Sequence, residues 1–129
     1  PKLAHKKGCL DANYYGIGSD NETKKSLADS VVWTKNSDWH DPTDGFDYFQ
    51  AAKLIDWPPT WHLTGSKDKV LGHATDVIVF IEEYNPHAKF TLLSKPSGNM
   101  QNYDHINILT HPDALEDHFP LLVIWLKSH

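Results

Sequence analysis

The sequence predicts an α/β fold: a partial parallel sheet of two or three strands with flanking helices. Three observations predict it. Residues 60–64 and 88–94 are short runs of strand-forming side chains, and each is followed by a polar loop. Residues 70–84, between those runs, are longer and apolar at helical spacing, which suits the crossover that joins parallel strands. Residues 117–127 then form an amphipathic helix at the end of the chain.

Taken in order, residues 1–45 carry little periodicity and read as an irregular segment, with residues 46–129 as the α/β subdomain. Gly16-Ile17-Gly18-Ser19 resembles half of a phosphate-binding loop, but it lacks a preceding strand and a third glycine. Residues 30–35, with Val31, Val32 and Trp33, read as a short strand. Residues 36–45 form a polar loop holding His40, Asp41 and Asp44. Phe46, Phe49, Ala52 and Leu54 fall near helical spacing, and Trp57-Pro58-Pro59 ends that helix.

Residues 60–64 are rich in β-formers and open after two prolines that have no backbone N–H for a sheet. Gly65 permits a sharp exit from the strand, which places Asp68 in the loop beyond the strand's carboxyl end. In residues 70–84, Leu71, Ala74, Ile78 and Ile81 share one helical face with Val77, Phe80 and Tyr84 beside it, and Asn85-Pro86 stops the helix. Residues 88–94 form the second strand. The loop after it, residues 95–104, leads to His105. In the last helix, Asp117 is placed to cap, Pro120 is tolerated in the first turn, and Lys127 suits the negative end of the helix dipole.

Size and composition narrow the function. With 129 residues, 40% hydrophobic and 12% aromatic, the chain can build a core without disulfides or metal. A formal net charge of −5 argues against a nucleic-acid partner that needs a basic face. The single cysteine, Cys9, cannot form an internal bridge and leaves the compartment open. No apolar run approaches the roughly 20 residues that span a bilayer, and no signal peptide opens the chain. The first residue is Pro, so the expectation is a processed, trimmed or excised piece.

The chemistry lies in two residues far apart in the chain. Parallel strands open their following loops on one edge of the sheet, where the sites of open α/β folds gather. Asp68 follows the first strand, and the loop before His105 is long enough to fold back over the same edge. A carboxylate beside an imidazole fixes its tautomer and stabilises its protonated form, so that the other ring nitrogen can take a proton from a nucleophile. Asp104 is a competing acid, but an immediate neighbour is poorly placed to orient the same ring. Asp76 reads as a helix-surface residue.

Trp57-Pro58-Pro59-Thr60-Trp61-His62-Leu63-Thr64-Gly65-Ser66-Lys67-Asp68-Lys69-Val70 resembles the acid strand and loop of the α/β-hydrolase superfamily. Tyr103-Asp104-His105 is similar to its histidine loop, and Asp117-His118-Phe119-Pro120-Leu121-Leu122 through Trp125-Leu126 to its last helix. The resemblance covers residues 46–128 and is to the C-terminal part of a serine esterase or lipase. It implies Asp68 as triad acid and His105 as triad base, with no cofactor and no metal. It also implies that the residues before 46 end a cap region.

The departure is as informative. None of the seven glycines lies in a Gly-x-Ser-x-Gly elbow, and no oxyanion-hole segment has a counterpart. The expected partner is therefore the remainder of the hydrolase, upstream or on a separate chain, carrying the nucleophile. The expected substrate is a small ester or lipid. Ser66, Ser94 and Ser97 are the loop serines nearest the site. Alone, the chain is expected to be inactive and to cover its open sheet edge, either with residues 30–35 or with a second copy. Two other classes stand beside this reading. One is a noncatalytic sugar- or lipid-binding module using Trp33, Trp39, Trp57 and Trp61, although Trp57 and Trp61 suit a core better. The other is a metal-binding domain using His40, Asp41, Asp44 and further histidines.

Overall fold

The computed structural model describes residues 7–12, 14, 21–35 and 39–129. Gly16-Ile17-Gly18-Ser19 lies outside the described residues. The chain forms two compact units, Pro1–Leu54 and Ile55–His129. It is mixed α/β, with one two-stranded antiparallel sheet and one two-stranded parallel sheet.

In the first unit, β1 (Cys9–Leu10) pairs antiparallel with β2 (Glu22–Thr23). Helix α1 (Lys24–Lys35) follows at once. The Thr23 hydroxyl accepts the N–H of Ser26 at 3.1 Å, capping an otherwise unsatisfied donor of the first turn. Residues 30–35 are therefore helical and not a strand. The β-branched pair Val31-Val32 is outweighed by the better helix formers around it, and Lys25 bonds Asp29 one turn on. Helix α2 (Tyr48–Leu54) lies within the predicted 46–55 segment. Tyr48 is the hub of this unit, with Trp33, Trp39 and Phe46 rings at 6.2, 5.6 and 5.1 Å.

The second unit holds β3 (Trp61–Gly65), α3 (Ala74–Tyr84), β4 (Lys89–Leu93), α4 (Asn107–Thr110) and α5 (Phe119–Ser128). β3 and β4 are parallel, in register from Trp61↔Lys89 to Gly65↔Leu93, so their carboxyl ends stand side by side. Helix α3 makes the crossover, but it begins at Ala74 and not at residue 70. Its most buried face is Val77, Phe80, Ile81 and Tyr84, whereas Ile78 and Val79 are exposed. The core comprises Leu93, Tyr103 and Ala114, each no more than 1% exposed, with Leu63, Ile108 and Phe119 against them. Two of these three come from the strand end and loop that carry the histidine, so the core lies beneath the site. No described helix is long and apolar enough to cross a membrane.

Candidate active site

The carboxyl end of β3 leads directly into the acid. Thr64 and Gly65 are buried, and Ser66 donates its N–H to the Leu93 carbonyl at the end of β4. The Asp68 N–H bonds the Gly65 carbonyl at 3.0 Å, closing a tight turn that leaves the carboxylate 7% exposed. Gly65 itself does not take a positive φ. Its missing side chain serves close approach instead: a Cβ there would lie 2.2 Å from the Tyr103 carbonyl oxygen. Lys67, next to the acid, donates its N–H to that same carbonyl at 2.8 Å. The loop of the acid and the loop of the histidine are thus joined backbone to backbone.

His105 Nδ1 stands 2.7 Å from Asp68 Oδ2. The carboxylate's other oxygen accepts the N–H groups of Leu71 at 3.1 Å and Val70 at 3.4 Å. Burial works to raise the Asp68 carboxyl, but the Gly72 amide, the His105 ring and the Val70 and Leu71 amides together hold it below the usual carboxylate range. Gly72 is close enough that a Cβ would lie 2.7 Å from Asp68 Oδ2, and its carbonyl accepts the Thr64 hydroxyl. With an ionised carboxylate at Nδ1, that nitrogen carries the proton and Nε2 is the basic one. The imidazole is 48% exposed, and Nε2 has no protein partner among the described residues.

Two clefts meet at the imidazole. One, of about 260 Å³, is lined by His62, Thr64, Gly72, Val77 and Leu109 among others. The other, of about 370 Å³, lies between Lys67–Leu71 and Asp104–Ile106. Neither is lined by a serine or cysteine. The arrangement can accept and return a proton at Nε2, and these clefts offer it no serine or cysteine to activate.

No known protein family, curated protein or solved structure matches the chain.

The other candidates have structural uses. Asp104 Oδ1 accepts the N–H groups of Ile106 and Asn107, so it holds the turn after the histidine and does not orient the ring. Asp76 lies exposed in the first turn of α3, where a carboxylate suits the helix dipole. Ser94 accepts the Ser97 N–H at the start of a short 3₁₀ turn, and the two hydroxyls bond each other. Ser66 Oγ donates to Asn102 Oδ1 at 3.4 Å. Asp41 accepts Tyr48 OH and the Thr43 N–H, Asp44 accepts the Phe46 N–H, and His40 faces Asp47 at 3.3 Å. Among the described residues, no three histidine, cysteine or acidic side chains converge as metal ligands would. Trp33 and Trp39 pack on Tyr48 in the first unit, while Trp57 meets Phe80 and Trp61 meets Trp125 in the second.

Two residues, Asp117 and His118, escaped the sequence reading. Asp117 does not cap the last helix, whose first residues receive no side-chain cap. It reaches back to the histidine loop, accepting Asn99 Nδ2 at 2.9 Å, the Met100 N–H at 2.8 Å and Tyr103 OH at 2.8 Å. His118 is 1% exposed; Nε2 bonds the Ile108 carbonyl at 2.8 Å and Nδ1 has no partner among the described residues. His62 is buried at Nε2, as its place on the strand suggests, and stands edge-on to Phe80, with that nitrogen unpaired among the described residues.

Proposed function

We propose that this chain supplies the acid, Asp68, and the base, His105, of a serine hydrolase acting on carboxylic esters. The nucleophile belongs to the remainder of the enzyme. The observation that carries this reading is the 2.7 Å bond between His105 Nδ1 and a buried, ionised Asp68, with Nε2 left open. The C-terminal part of an α/β-hydrolase would present this pair in this way, at the carboxyl ends of parallel strands.

In the proposed reaction, Nε2 takes the proton of an incoming serine hydroxyl as its oxygen bonds the ester carbonyl carbon. Asp68 stabilises the resulting imidazolium and remains ionised. The imidazolium then returns the proton to the departing alkoxide. Water repeats the sequence to release the acid and restore the serine. The serine and the donors that stabilise the oxyanion are the remainder's contribution.

The surface supports a missing remainder. A strand edge without a neighbour leaves a row of backbone N–H and C=O groups open to another chain, and β3 and β4 each pair on one side only among the described residues. Residues 30–35 add no strand, because they are helical. Helix α5 has no fully buried residue and exposes Leu121, Val123, Ile124 and Leu126. Four large apolar side chains exposed on one ten-residue helix are what a covering partner would bury. Without the remainder, the open strand edge is expected to pair with a second copy.

The test is labelling by a fluorophosphonate, which reacts with activated serines. The chain alone should not label. Protein expressed from the coding sequence extended upstream of Pro1 should label at one serine, and His105→Ala should abolish it. Labelling that survives His105→Ala would overturn the reading.

A further inference from the structure

The catalytic histidine of the proposed hydrolase sits on a loop, and a loop needs something to hold it. From the end of β4 at Leu93 to His105, the chain has no strand and only one 3₁₀ turn, Lys95–Ser97. We propose that Asp117 is a positioning residue that clamps this loop, so that His105 reaches Asp68. This deepens the hydrolase reading and takes its functional meaning from it.

The clamp is continuous from atom to atom. Asp117 Oδ1 accepts Asn99 Nδ2, and Oδ2 accepts both the Met100 N–H and Tyr103 OH. Tyr103 is fully buried, and its other end, the backbone carbonyl, accepts the Lys67 N–H beside Asp68. One residue therefore runs from the Asp117 carboxylate to the loop of the acid, and His105 is two positions further on. All three groups bonded to Asp117 are donors. An asparagine in its place keeps one acceptor oxygen and turns an N–H₂ toward at least one of them. A carboxylate fits this set of donors and an amide does not.

Asp117 does not touch the imidazole, so its effect must pass through the position of the loop. The Nδ1–H of His105 reads that position, because a proton held against a buried carboxylate is shielded from exchange with water. In the 129-residue chain with ¹⁵N-labelled histidine, that proton is expected far downfield, and Asp68→Asn identifies it by removing it. Asp117→Asn should speed its exchange by about tenfold or more, the equivalent of losing one or two net hydrogen bonds. Tyr103→Phe, which deletes one hydroxyl and keeps the ring, should speed it less. Circular dichroism at the same temperature should match the wild type. If Asp117→Asn folds, wild-type exchange in that variant overturns the proposal. If it does not fold, Tyr103→Phe decides, and wild-type exchange there has the same meaning. Loss of the clamp with no effect of His105→Ala on labelling would reject the hydrolase reading and leave the clamp standing.

Discussion

The Tyr103 carbonyl oxygen would lie 2.2 Å from a Cβ on Gly65, closer than any real contact allows. Here the strand that presents the acid touches the loop that presents the histidine. Both contacting groups are backbone, so neither can swing aside. Gly65→Ala should therefore cost about 1–3 kcal/mol, the usual penalty for overpacking a well-filled site. Urea denaturation measures it, and an unchanged midpoint would mean that the two loops are not in contact.

Leu93 ends β4 beneath the same junction and is 1% exposed. Leu93→Ala should destabilise by about 2–5 kcal/mol, combining lost transfer energy with the cavity left beside Tyr103 and Ala114. Urea denaturation again reads it. A loss under about 1 kcal/mol would contradict the core described above.

Acid should unfold the protein partly through Asp68 and Asp117. Burial alone would raise both carboxyls, yet their hydrogen bonds hold them below the usual range. A carboxyl lowered in the folded state contributes stability that is present above its unfolded value, about 4. That stability is lost as pH falls through the folded value. Denaturation midpoints measured from pH 6 downward should thus fall below about pH 4, and Asp68→Asn should flatten the slope. An equally steep slope in the variant would show that Asp68 is not held ionised.

The opposite sign holds for Tyr103. Burial first, and then the Asp117 carboxylate, push its hydroxyl up to about 12. A raised tyrosine contributes stability that is whole below its unfolded value, about 10. That stability disappears as pH climbs through about 12. The Asp41 carboxylate also raises Tyr48, so ultraviolet titration should show the last tyrosine ionising at about pH 12, and Tyr103→Phe should remove that last step. A full set of tyrosines ionising together near pH 10 would contradict it.

Much of the second unit was legible because each element carries a local signal. Prolines 58 and 59 open the first strand, Asn85-Pro86 closes the crossover helix, and the two strands match the predicted runs to within a residue or two. The meeting of Asp68 with His105 followed from strand direction together with a loop long enough to fold back over the same edge. The first unit was harder, because Val31-Val32-Trp33 favours a strand locally while the helix is decided by Thr23 and by the residues before the pair. Asp117 was invisible for a different reason. Its partners lie 14 to 18 positions back, and such bonds leave no spacing in the sequence. Gly65 was identified as necessary, but for a turn, when the reason is contact with a loop that only the fold brings near.

The central claim, that His105 is the base of an ester hydrolase, is tested most directly by turnover. Protein expressed from the extended coding sequence should hydrolyse p-nitrophenyl esters, with kcat lowered by about 10²-fold or more in His105→Ala, the usual contribution of a general base. The same kcat with and without the imidazole would contradict the account.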